Sequence, residues 1–182
     1  MPVRLQIQVA LLTIGVALGS ATAAHAQAIP TDGLTGRLDP ETAAAVRSVI
    51  ASATIQGVPG EPLAAKALEG QSKGATSDRI VLAVRNLALD LTAARRALGS
   101  TASSSEIVAG AGALRAGASS DVLSRLKTAR GTHSVLLPLA TLTDLVARGV
   151  PVNDAAQTVL ALADRGAAEA DYRAHGVNAG AP

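Results

Sequence analysis

Acid–base and nucleophilic chemistry near neutral pH most often runs through histidine, and this sequence holds three, His25, His133 and His175. His25 falls in an N-terminal segment expected to be removed. His133 sits in the stretch GTHSVLL, where it could work with a distant carboxylate such as Asp144 as an acid–base pair. A Ser–His–Asp triad through Ser134 is not supported, because Ser134 lacks the flanking glycines of a nucleophile elbow. His175 stands beside Tyr172 and Arg173 in what reads as a frayed C-terminus. The plain alternative for His133 is a surface or capping residue at a loop–helix junction.

Metal chemistry has still less to draw on. The chain has no cysteine, no HExxH pair and no Asp-rich calcium loop. The carboxylates are scattered singly, so no paired general acid and base can be read from spacing. Asp78, Asp121 and Asp154 fall at or just inside expected helix starts, where a carboxylate stabilises by about 0.3–1 kcal/mol through the helix dipole. Capping accounts for them. GAGALRAG, from Gly110 to Gly117, has the look of a phosphate loop. A dinucleotide fingerprint would need glycine where Arg115 stands, and a strand before it. No catalytic, metal or cofactor site is therefore expected.

The elements that would have to position any site are clearer. The segment MPVRLQIQVALLTIGVALGSATAAHAQ reads as a secretory signal: Arg4 is the positive n-region, Val9 to Leu18 the apolar stretch, and Ala24-His25-Ala26 the small-x-small cleavage site before Gln27. Cleavage after Ala26 would release a chain into a bacterial periplasm or the exterior, with no membrane span. Residues 27–38 then read as a flexible lead, 39–176 as one helical domain with possible halves 39–98 and 104–176, and 177–182 as a disordered tail. The linker GSTASSS, Gly99 to Ser105, is the candidate hinge between those halves.

Composition points to helices. Of 182 residues, 48% are hydrophobic, yet there is no Phe or Trp and only one Tyr, so the core must be Leu, Val, Ile and Ala. Alanine is the best helix former, whereas strands favour β-branched and aromatic residues. Small side chains bury little area each, at roughly 25 cal/mol per Å², but they let helices approach closely. The formal charge of +2 makes no electrostatic case for nucleic acid.

One piece of punctuation recurs: a glycine, a small apolar residue, then a residue that opens a new helix. It occurs at Gly57, Gly74, Gly117, Gly149 and Gly166. The pattern predicts a helix end with glycine in the left-handed C′ position, the following apolar residue packing back near the residue four before the glycine. Ala53, Ala113, Leu145 and Leu162 fill that place; Gly70, in the fifth instance, is the weak point. Gly57–Gly74 and Gly149–Gly166 share a 17-residue spacing at an offset of 92. Duplication and convergent turn chemistry would both give such hairpins.

Helices are expected near 40–54, 61–72, 77–98, 104–116, 120–130, 134–148, 153–164 and 167–175. The third carries one apolar stripe, Ile80, Val84, Leu87, Leu91, Ala94 and Leu98, with Arg79, Arg85, Asp90, Arg95 and Arg96 on a solvated side. Glycines in the fourth mark a close helix contact or a break near Ala109–Gly112. Pro138 is expected in or near the first turn of the sixth. The fold class is all-α without a sheet: about eight short helices in antiparallel hairpins, as an irregular bundle or a short right-handed stack similar in logic to armadillo or HEAT solenoids. The expected function is non-enzymatic binding of another envelope or secreted protein. A carrier of an apolar ligand and an enzyme with a hidden acid–base pair are the alternatives.

Overall fold

The computed structural model describes residues 32–178. The signal segment, its cleavage point at Ala26–Gln27, residues 27–31 of the lead and residues 179–182 lie outside them. Eight helices form an all-α bundle, with no strand among the described residues: α1 (Pro40–Ile55), α2 (Glu61–Ser72), α3 (Ser77–Leu98), α4 (Ser104–Arg115), α5 (Ser120–Arg130), α6 (Leu136–Ala147), α7 (Val152–Asp164) and α8 (Glu169–Asn178).

Each start has a local cause. Asp39 caps α1, its Oδ1 accepting the N–H of Thr42 at 2.9 Å, and Pro40 occupies the first helical position. Ser103 and Glu106 form a reciprocal capping box on α4. Ser119 Oγ accepts the N–H of Val122 at 3.3 Å to open α5. Asp78, Asp121 and Asp154 all stand in first turns, where they complement the dipole. Pro138 is the third residue of α6, where its missing N–H leaves no intrahelical bond unmade.

The ends are equally local. At Gly149 the backbone turns left-handed, φ +92°, and the N–H of Val150 reaches back to the carbonyl of Leu145 at 3.0 Å. The same bond runs from Val58 to Ala53, Ala75 to Gly70, Ala118 to Ala113 and Ala167 to Leu162. Gly70 has a packing reason of its own: a Cβ there would lie 2.9 Å from Ile80 Cγ1, so its absence lets α3 seat against α2.

The helices pack in two rows, each joining alternate helices. One runs α1–α3–α5–α7 and the other α4–α6–α8, with α2 against α3 and cross-contacts α3–α4 and α6–α7. The core between them is the expected aliphatic one, with Ile80, Val84, Leu91, Ala94 and Leu98 buried from the α3 stripe and Leu87 half-buried. Gly110 explains how α4 docks. Its missing Cβ would meet Leu98 Cδ1, Ala94 Cβ and Leu123 Cδ2 at 3.0–3.2 Å, so α4 runs unbroken through its glycines as a close contact and not as a break.

Three expectations need correction. The lead is anchored where it is described: Leu34 and Leu38 are buried, and the N–H groups of Arg37 and Leu38 bond to the Leu34 carbonyl. The division at Gly99–Ser105 does not separate two halves, because α3 packs on α1 and α2 on one side and on α4 and α5 on the other. At the C-terminus α8 runs to Asn178, into the expected tail, and Tyr172 is buried in the core, not presented at a frayed end.

Candidate functional site

Helices α1 and α3 lie side by side and run parallel, as two bonds with the same sequence separation require. Ser77 Oγ donates to Asp39 Oδ2 at 3.0 Å at their N-terminal ends, and Arg95 Nε donates to the Gly57 carbonyl at 3.2 Å at their C-terminal ends. The return path between them is α2. Between the two helices runs an open groove of about 640 Å³.

The groove is built from one face of each helix. From α1 come Ser48, Val49, Ser52, Ala53 and Gln56; from α3 come Arg85, Ala88, Leu89, Thr92, Ala93 and Arg96. These positions recur every three or four residues, which puts each set on a single stripe. Val49, Ala53, Ala88, Leu89 and Ala93 supply apolar surface, and Leu89 is 69% exposed. Serine, threonine and glutamine line its polar edges. Among the described residues no carboxylate lines it.

Its charge comes from Arg85 and Arg96 alone. Both are exposed and, among the described residues, neither makes an ion pair. Arg95, grouped with them by the sequence as a solvated face, differs in that backbone carbonyls take up its guanidinium. Arg95 bonds the carbonyls of Gly57 and Gly99 and so ties the end of α1 to that of α3. Arg130 does the same job elsewhere, its guanidinium bonding the carbonyls of Ser134 and Ala167.

The residues considered for catalysis lie outside the groove. His133 is exposed, with Nδ1 3.2 Å from the Arg130 carbonyl. Asp144 pairs with Arg148 at 2.9 Å. His175 is carried by α8. No cluster of three or more metal-ligating side chains occurs among the described residues, and none of their helices is long and apolar enough to cross a membrane.

Among the described residues one carboxylate is buried. Glu106 accepts the N–H of Ser103 at 2.9 Å, the N–H of Val135 at 2.9 Å and the Ser134 hydroxyl at 3.2 Å, with Lys127 Nζ 4.0 Å away. Burial pushes its pKa up, but the backbone hydrogen bonds from Ser103 and Val135, with the Lys127 charge, outweigh that and hold it below the ordinary value. Every bond it makes joins helix starts, which is structural work. Tyr172 is the other buried polar side chain of note. Its hydroxyl meets no hydrogen-bond partner within ordinary bonding distance among the described residues, burial raises its pKa, and Arg130 stands 5.6 Å from the ring centroid.

Comparison with protein-family models, with curated proteins and with solved structures finds no match to this chain.

Sequence reasoning missed the groove. The signal was Leu89, which lines the groove, with Leu82 seven residues before it outside the lining; both lie on the side of α3 opposite the core stripe and are 69% and 59% exposed. A second apolar pair of that kind on a helix that already has a buried face marks a surface with something to cover.

Proposed function

We propose that this chain is an exported, non-enzymatic helical domain that binds another protein, and that the α1–α3 groove is where it does so. The observation that carries the reading is the composition of the groove: an apolar floor lined by the exposed Leu89, flanked by two arginines that make no ion pair among the described residues. Such a surface has unspent apolar area and unspent charge, the two things an interface consumes. Export rests on the N-terminal signal pattern, with cleavage after Ala26 and residence in the periplasm or outside the cell. No part of the reading calls for a cofactor or for nucleic acid.

The test is co-purification from envelope extract with the groove blocked. Leu89→Glu puts a charge in the groove at an exposed position, so the fold is spared. Leu136→Glu does the same on α6, where Leu136 is 41% exposed and outside the groove. A partner recovered near stoichiometry by the parent and by Leu136→Glu, and lost with Leu89→Glu, supports the proposal. Equal recovery by Leu89→Glu overturns the placement. A lipid or small apolar molecule carried through purification, with no protein partner, replaces the proposal with a carrier. Intact mass of the exported chain checks cleavage at Ala26–Gln27.

A further inference from the structure

Resting on that reading, we infer that the occupant of the α1–α3 groove is an amphipathic helix of a partner protein, carrying two carboxylates about three turns apart on its apolar stripe. The shape comes first. Two parallel helices enclose a straight trough, and its lining spans Ser48 to Gln56 on one wall and Arg85 to Arg96 on the other. At about 1.5 Å per residue those walls are about 12 and 16 Å long. That is the length of two to three helical turns. The floor alanines Ala53, Ala88 and Ala93 let a third helix come close, and its anchors at i, i+4 and i+7 would meet Val49 and Leu89.

Charge then fixes the chemistry. Arg85 and Arg96 are eleven residues apart, which is three turns, so both project from nearly the same side of α3, one near each end of the trough. With no carboxylate in the lining, the complementary ligand places a negative group at each end. Eleven residues on the ligand helix return to its own stripe for the same geometric reason, so Asp or Glu at i and i+11 faces both arginines at once. Residues 1–31 of this chain are poor candidates for the role. That stretch is apolar in places but contains no Asp or Glu, so it cannot meet the arginines.

The probe is a labelled 18-residue helical peptide with a Leu/Ala stripe and Glu at positions 4 and 15, compared with its Gln/Gln counterpart by fluorescence anisotropy. The expected result is at least tenfold tighter binding of the Glu/Glu peptide. That advantage disappears in the Arg85→Gln/Arg96→Gln protein and shrinks with added salt, and Leu89→Glu abolishes binding of both peptides. Equal affinity of the two peptides, still sensitive to Leu89→Glu, overturns the acidic ligand while leaving the groove as a binding site. Failure of every peptide, where Leu89→Glu nevertheless releases a co-purified partner, overturns the helix and leaves the groove. Peptide binding unaffected by Leu89→Glu overturns both the helix and its location. Self-association that Leu89→Glu dissolves, measured by light scattering, substitutes a second copy of the chain for the partner and also overturns the inference.

Discussion

Glu106, in the first turn of α4, accepts the backbone N–H of Val135, 29 residues further along and at the start of α6, at 2.9 Å. With its other oxygen it accepts the N–H of Ser103. One carboxylate thus satisfies donors at two helix starts, in a place where water cannot reach them easily. The arrangement gives α4 and α6 a directional tie that the aliphatic core between them does not supply.

Removing it is expected to cost far more than an ordinary cap. Glu106→Ala leaves the buried N–H of Val135 and the part-buried N–H of Ser103 without their acceptor and Lys127 without its nearest carboxylate, a loss of the order of 3 kcal/mol. Glu106→Gln keeps one acceptor oxygen but turns an amide donor toward another donor, so it recovers only part. Urea denaturation checks both. A Glu106→Ala midpoint within error of the parent would mean the two N–H groups find other acceptors.

The two glycines of α4 should respond in opposite directions to alanine. Gly110→Ala drives a methyl to 3.0–3.2 Å from Leu98, Ala94 and Leu123. Leu98 and Leu123 are fully enclosed and the Ala94 methyl cannot rotate away, so overpacking of about 1–3 kcal/mol exceeds the gain in helix propensity. At Gly112 nothing lies within 4 Å of the added methyl, and the substitution is expected to stabilise by up to about 1 kcal/mol. Thermal melts of the pair decide it: a Gly110→Ala variant that gains stability would mean the α3–α4 contact is looser than its geometry.

Gly149 isolates the cost of backbone handedness. Its φ is +92°, and no atom lies within 4 Å of where a Cβ would be. Gly149→Val should therefore destabilise by more than about 1 kcal/mol through conformation alone. Gly57, at φ +74°, adds a contact: the Cβ would approach Arg95 Nε at 3.1 Å and press on the bond that ties α1 to α3. Gly57→Val should lose more than Gly149→Val, measured by denaturant midpoints. Equal losses would mean that the Arg95 side chain moves aside freely.

The helices and their turns were legible because their causes are local. Asp39-Pro40, Ser103-x-x-Glu106 and each glycine followed by a small apolar residue act within a few positions, and the α3 stripe follows from period alone. Leu63, Ala64 and Ala67 on α2 and Ala155, Ala156 and Val159 on α7 are buried at the same offset of 92, so the matching turns lead into matching faces. What was not legible depends on neighbours. Arg85, Arg95 and Arg96 look alike in sequence, yet Arg95 clamps two carbonyls while the other two line a groove. Only the parallel placement of α1 against α3 separates those roles, and no periodicity within either helix encodes it. Leu34 and Leu38 were passed over for a related reason: two leucines amid glycine and proline carry no period, and only the docked helices show what they cover.

Acid should weaken the N-cap of α1, and with it the Ser77 contact to α3, in a narrow window through Asp39. Its carboxyl is held at about 2, down from 3.8, first by hydrogen bonds from Thr42 and with a further one from Ser77. A carboxylate whose folded pKa is depressed stabilises fully above its unfolded value, and the contribution is lost as pH falls through the folded value. The window is therefore from just above 3.8 down to about 2. Asparagine at 39 still caps a helix but does not titrate, so Asp39→Asn should be less stable than the parent at neutral pH and should approach it toward pH 2. Glu69, also held at about 2 by Lys73 and Lys66, titrates in both proteins and cancels in the difference. Denaturant unfolding of the two proteins across that range measures the gap directly, and a gap that stays constant down to pH 2 would show that the Asp39 charge contributes nothing to stability.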